Sequence, residues 1–168
     1  MRLLAYILND DDPSKCSARK LIHFRMLERV NRVPYHTILL DPYSNIPLYK
    51  GDSSYNSITL VDCSWANTSS IFSKVRAKVR RRLPLLLAAN PVNYAKLAML
   101  SSVEALAAAC YILGYEELAY MLLNKFKWGH TFMELNRELL KEYRDADSIY
   151  EIARIEEEYF KIKSKYLV

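Results

Sequence analysis

The sequence predicts an α/β fold, with a mostly parallel sheet and flanking helices in the N-terminal half and an all-helical C-terminal half. Three observations predict it. Up to about residue 90, short apolar runs alternate with longer amphipathic stretches, the pattern of strands joined by helical crossovers. Beyond that point apolar residues recur at helical spacing through four successive stretches. About half of the 168 residues are apolar (51%), enough for a sizeable core. We divide the chain into an α/β domain, 1–90, and a helical domain, 91–168, packed on it.

The elements follow in order. "RLLAYIL" reads as a first strand. Aspartates follow this run and no small-residue cleavage site does, so we do not read it as a signal peptide. "DDDPSKCSARK" is a turn at Asp12-Pro13 in which Ser14 or Ser17 caps the next helix. Its adjacent acids do not converge on one point, so we read a solvated turn rather than a metal site. "SARKLIHFRMLERV" reads as an amphipathic helix, with Leu21, Phe24, Leu27 and Val30 on one face. "YHTILL" is strand-like and stops at Asp41-Pro42. Residues 41–57 are rich in turn formers, irregular, with room for one short edge strand. "ITLVD" is short and β-branched, as buried parallel strands are. "SSIFSKVRAKVRRR" reads as a basic helix, and "LPLLLAAN" as a further apolar run stopped by Asn90-Pro91. "SSVEALAAACYILG" has Ser101 or Ser102 as its N-cap and Gly114 as its stop. "YEELAYMLLNKFKW", "HTFMELNRELLKEYRDA" and "DSIYEIARIEEEYFKIKSKYL" read as three more helices.

Several function classes are unsupported. No run of 18 apolar residues exists, so no membrane span is expected. Cys16, Cys63 and Cys110 are odd in number and far apart, with no C-x-x-C, so neither a disulfide framework nor a zinc site is indicated. A reducing cytoplasm fits. No phosphate-binding loop, dinucleotide fingerprint or H-E-x-x-H occurs. Charge is uneven: 15 Lys and Arg stand against 7 Asp and Glu up to residue 100, and 9 against 12 after it. A basic N-terminal half attracts a polyanion such as nucleic acid. The densest run is Lys74, Arg76, Lys78, Arg80, Arg81 and Arg82, which is either an RNA phosphate platform or a solvated face.

Two apolar runs end in polar clusters, "DCSW" and "AANPVNY". Ligands bind at the carboxyl ends of parallel strands, so these are candidate site residues; the alternative is that Asp62 or Ser64 only caps the following helix. "KFKWGHTF" sets Trp128 and His130 beside Lys125 and Lys127, a pattern for base stacking or simply a core tryptophan.

Taken in order, "DPSKCSARKL", "LVDCSW", "RLPLLLAANPVNYAK", "LSSVEALAAACYILG" and "KFKWGHTFMELN" resemble the ribosome-biogenesis aminocarboxypropyltransferases of small-subunit rRNA, in their compact archaeal form. The resemblance implies a SPOUT-like, knotted α/β half. It implies S-adenosyl-L-methionine as co-substrate, with the 3-amino-3-carboxypropyl group moved to a (methyl)pseudouridine- or uridine-derived nucleotide and methylthioadenosine released. No metal is implied. By motif, Ser17, Val61, Leu83, Ala98 and Ser102 are the expected cofactor contacts, and Trp65 offers an apolar face. Asp62 is the candidate base for the proton on the reacting imide nitrogen. Ala95, Leu97 and Ala98 stand where relatives read Gly, Pro and an aromatic. The expected partner is small-subunit rRNA or a pre-ribosomal particle, with no membrane, and the expected state is a cytoplasmic monomer. The rival readings are a SPOUT-type RNA methyltransferase and a non-catalytic RNA-binding assembly factor.

Overall fold

The computed structural model describes residues 1–8, 16–63 and 68–162. The elements run β1 (Arg2–Ile7), α1 (Ser17–His23), β2 (Glu28–Val30), β3 (Ile38–Leu40), a 3-10 turn (Lys50–Ser54), β4 (Ser57–Asp62), α2 (Thr68–Lys74) and β5 (Val79–Arg81). They continue with α3 (Ser102–Ile112), α4 (Glu116–Leu123), α5 (Gly129–Leu135), α6 (Arg137–Asp145) and α7 (Ile149–Phe160). The strands form one five-stranded sheet in the order β2-β1-β4-β3-β5, and every pair is parallel. β4 lies at its centre, buried from Ser57 to Leu60, as its β-branched sequence requires.

One apolar core runs from the sheet into the helices. Its centre is α3, which packs on α1, α4, α6 and β4 and is buried nearly all round. A helix with no polar face belongs inside. Ala107, Ala108 and Ala109 are fully buried and let neighbouring elements approach closely.

Four expectations about the elements fail. The helix expected over 17–30 ends at His23. The amide of Arg25 bonds the Ile22 carbonyl (2.9 Å) and that of Met26 the Leu21 carbonyl (3.0 Å), a Schellman stop with Arg25 at φ 57°. Phe24 is left 45% exposed, and Val30 joins the sheet in β2. The basic helix stops at Lys74 because Arg80 turns back to donate to the Phe72 (2.6 Å) and Val75 (2.9 Å) carbonyls, while Val79–Arg81 pairs with β3. The helix expected over 130–146 breaks at Asn136 into α5 and α6. In place of the edge strand allowed for in 41–57 stands the 3-10 turn.

The run "LPLLLAAN" is extended yet no strand of the sheet. Its even residues bond a short hairpin: the Ala88 amide to the Lys96 carbonyl (3.0 Å), Ala95 to Ala88 (2.7 Å) and Ala98 to Leu86 (2.9 Å). Its odd residues, and Asn90 at its end, bond side chains of the helical half. The Leu85 amide donates to Glu156 (2.9 Å), and the Leu85 carbonyl accepts from the Tyr143 hydroxyl (2.9 Å). Leu87 exchanges two bonds with the Asn136 amide group (2.8 and 2.9 Å). The Ala89 and Asn90 amides both donate to Glu104 (2.6 and 2.9 Å). Side chains thus do for these backbone groups what a neighbouring strand would otherwise do.

Candidate active site

A cavity of about 580 Å³ opens at the carboxyl end of the sheet, beyond β3, β4 and β5. That volume lies within the usual range for small-molecule sites. Leu40 to Pro42, Leu60 to Cys63 and Arg82 to Leu85 bring strand ends to it, and Thr68 and Phe72 line it from α2. Ser101, Ser102 and Ala105 bring the start of α3, and Cys16 and Ser17 the start of α1. Leu40, Leu60, Phe72, Leu83, Leu85 and Leu100 are its apolar wall. Cys16, Ser17, Asp62, Ser101 and Ser102 form a polar pole.

The pole is a connected network. Asp62 Oδ2 accepts from the Cys16 thiol (2.9 Å), and Oδ1 accepts from the Ser102 hydroxyl (2.9 Å). Burial, and then the bond to Asp62, push the Cys16 thiol up to about 11, so it remains a neutral donor. Its sulfur also accepts from the Arg19 amide (3.4 Å), which makes Cys16 the N-cap of α1. Ser17 does not cap it, and Ser14 lies outside the described residues. Ser17 instead accepts the Val103 amide in the first turn of α3 (3.1 Å) and has no acceptor for its own proton among the described residues.

Glu104 is the hidden organiser of this corner. It is fully buried (0% exposed) and reaches back to the Ser101 amide (2.7 Å) and hydroxyl (2.8 Å), one arm of a capping box. It also holds the Ala89 and Asn90 amides and the Asn90 side chain (2.8 Å). The start of α3 and the end of the extended run are therefore fixed to one carboxyl group.

The structure brings Ser17, Val61, Asp62, Leu83, Ala98 and Ser102 to one cavity. Ser101, not Ser102, is the N-cap of α3. The Leu83 carbonyl accepts from Arg82 (3.1 Å). Ala98 sits at φ 59° with its amide bonded to Leu86, so its carbonyl is what it can offer. Ala95, in the hairpin turn, is also at φ 59°. Trp65 lies outside the described residues. Among the described residues no three His, Cys, Asp or Glu side chains are grouped to hold a metal ion. Nor is any helix there long and apolar enough to cross a membrane.

The six cations expected to act together separate into two groups. Arg80 pairs with Asp41 (2.7 Å), Arg81 with Asp52 (2.9 Å) and Arg82 with Glu156 in a two-pronged fork (2.7 and 2.8 Å). These arginines are half-buried struts on β5 and just beyond it. Lys74, Arg76 and Lys78 are exposed and carry no ion pair among the described residues.

Sequence reasoning missed Cys16, Glu104, Asn136 and Glu156. Ser101-x-x-Glu104 was a readable capping-box signal. Cys16 had none, because cysteine is an uncommon cap.

The chain was compared with known proteins. The family model described as "Ribosome biogenesis protein, C-terminal" matches residues 38–160. The 16S rRNA aminocarboxypropyltransferase of Methanosarcina mazei is 42% identical over 162 residues, covering 94% of this chain and 94% of the relative. That of Thermoplasma volcanium is 46% identical over 157 residues, covering 91% of this chain and 94% of the relative. The solved structure of the SAM-dependent rRNA:acp-transferase Tsr3 from Vulcanisaeta distributa superposes with a TM-score of 0.81 at 40% identity. It covers 86% of this chain and 83% of that one.

Proposed function

The chain belongs to the family of 16S rRNA aminocarboxypropyltransferases, and from that premise we propose that its cavity binds S-adenosyl-L-methionine and modifies small-subunit rRNA in ribosome biogenesis. The observation that carries the reading is the cavity at the carboxyl ends of the strands, with its polar pole of Cys16, Ser17, Asp62, Ser101 and Ser102 and its apolar wall. A ligand with an amino-acid end and an apolar, nucleoside-bearing body fits that division. When bound, S-adenosyl-L-methionine supplies a 3-amino-3-carboxypropyl group on a positive sulfur, with methylthioadenosine as the leaving group.

The residues have distinct tasks. Ser17 has a hydroxyl proton to give to a carboxylate, and the start of α3 beside Ser102 favours an anion. Val61, Leu83 and Ala98 offer backbone groups to the nucleoside, and Trp65 an apolar face. Asp62 is held by two neutral donors, so its charge is fixed in place. A carboxylate has about four lone-pair sites, so acceptor capacity remains. It can oppose the ligand's positive groups, and it can take the proton that the imide nitrogen of a (methyl)pseudouridine must lose. Which carbon of a sulfonium reacts depends on which is held in line with the nucleophile. Lys74, Arg76 and Lys78 are the phosphate platform, while Arg80, Arg81 and Arg82 brace the strand ends beneath it. The reading takes the chain as a compact archaeal-type member of SPOUT-like, knotted topology, acting as a cytoplasmic monomer. The all-parallel sheet with its cavity at the strand ends supports the α/β part of this reading.

The test uses two labels. Small-subunit rRNA lacking the modification is incubated with the protein and cofactor labelled in the carboxyl or the methyl group. Carboxyl label is expected in RNA and methyl label in the small-molecule fraction. Methyl label in RNA would instead mark a methyltransferase of similar fold. No transfer, with no cofactor binding by calorimetry, would mark an assembly factor.

A further inference from the structure

The hairpin at residues 91–96 displays apolar side chains that the protein itself does not use. Val92 is 74% exposed and Tyr94 59%, and Val92 and Asn93 line the cavity. The display is fixed in place. The Asn93 amide bonds the Asn90 carbonyl (3.1 Å) and side chain (3.0 Å), the Lys96 amide bonds Asn93 (3.0 Å), and Ala95 closes the turn at φ 59°. A pinned loop that holds an aromatic ring in water at a cavity mouth points to something outside the protein.

The surroundings select the partner. Lys96 is exposed two residues after Tyr94, and Lys74 ends α2, whose Thr68 and Phe72 line the same cavity. This is cationic ground with an aromatic in it, the surface that binds single-stranded nucleic acid by phosphate contact and base stacking. Exposed aromatics of the helical half lie in the opposite field. Tyr150 stands on α7 with Glu151, Glu157 and Glu158, which repel a phosphate chain. Tyr43 is also at the cavity rim, but its hydroxyl is bonded to Thr68 (2.9 Å) and its ring meets Phe72 edge-on. Tyr94 has no hydrogen bond or ring partner among the described residues.

We propose that Tyr94 is a stacking platform for a base of the rRNA substrate at the mouth of the cavity, with Val92 flanking it and Lys96 on the adjoining phosphate. This rests on the rRNA-modifying reading above. It assigns Tyr94 to substrate recognition and not to the cofactor.

The experiment measures transfer to small-subunit rRNA, with cofactor affinity by calorimetry and thermal melting as controls. Tyr94→Ala is expected to raise KM for RNA roughly tenfold or more, the range for losing one stacked base. Cofactor affinity and melting temperature should stay at wild-type values. Tyr94→Phe and Tyr94→Trp should restore KM, and the added indole should be quenched by RNA relative to wild type. An unchanged KM in Tyr94→Ala, beside normal wild-type transfer, overturns the stacking role and leaves the function reading standing. Weakened cofactor binding in Tyr94→Ala overturns it as well, by moving Tyr94 into the cofactor pocket. No transfer by wild type sinks the function reading, and this inference falls with it.

Discussion

Replacing Glu104 with alanine tests how the cavity is held together. The side chain is fully buried and accepts five hydrogen bonds, from the Ala89, Asn90 and Ser101 amides, the Asn90 side chain and the Ser101 hydroxyl. Ala89 and Asn90 are buried, so their amides lose their partner with no water to replace it. A buried donor left without a partner costs about 1–3 kcal/mol. Ser101 is half-buried, and water offsets part of its loss. The sum is about 3–5 kcal/mol, comparable to breaking a buried polar pair. With a urea m-value near 2 kcal/mol/M for a chain of this size, the unfolding midpoint should fall by roughly 1.5–2.5 M. Glu104→Gln keeps the shape but turns an N–H toward existing donors, and should lie between, at about 1–3 kcal/mol. Both variants should also bind cofactor more weakly, because the start of α3 and residues 89–90 lose their common anchor. A Glu104→Ala midpoint within about 0.5 M of wild type, at unchanged m, would refute the reasoning.

Other features lead to four further predictions. Ala95→Gly should raise stability by about 0.5–1 kcal/mol, read as a melting temperature a few degrees higher, since only glycine takes a φ of 59° without steric cost. Cys16, raised from 9.0 to about 11, should react with iodoacetamide at pH 8 about a hundredfold more slowly than an ordinary exposed thiol. The folded thiol titrates above the unfolded one, so its contribution to stability is complete below pH 9 and is lost as pH rises through about 11. Arg82→Ala strands the buried Glu156 and should cost about 3–5 kcal/mol in urea unfolding. By contrast, the Lys74→Glu, Arg76→Glu, Lys78→Glu triple variant should melt like wild type but bind RNA more weakly, with a shallower salt dependence.

Much of the sheet and the cavity was legible because parallel strands carry a strong local signal. "ITLVD" and "YHTILL" are short, β-branched and sharply ended, and they became β4 and β3. The helix stops divide instructively. Gly114, at φ 88°, closes α3 with the same bonding as Arg25 closes α1. Glycine announces a left-handed stop and arginine does not, so one helix end was readable and the other was overrun into β2. Leu21, Phe24, Leu27 and Val30 fit a helical stripe as well as they fit a helix, a turn and an edge strand. The arginine run misled because charge in a sequence carries no record of its partners. Asp41, Asp52 and Glu156 lie 39, 29 and 74 positions away from the arginines they neutralise. The polar pole was half visible. Asp62 and Ser102 stood at element ends, while Cys16 and Glu104 act through long-range bonds that no local pattern encodes.

The extended run from Leu85 to Asn90 depends on residues that the ribosome makes much later. Glu104 follows by 15 positions at Ala89, Asn136 by 49 at Leu87, and Glu156 by 71 at Leu85. One wall of the cavity therefore stays without its partners until α7 has been synthesised. Closing the pocket and seating the last helix become a single event. A ligand that enters the pocket will then slow amide exchange in α7, a helix that gives no residue to the cavity lining among the described residues.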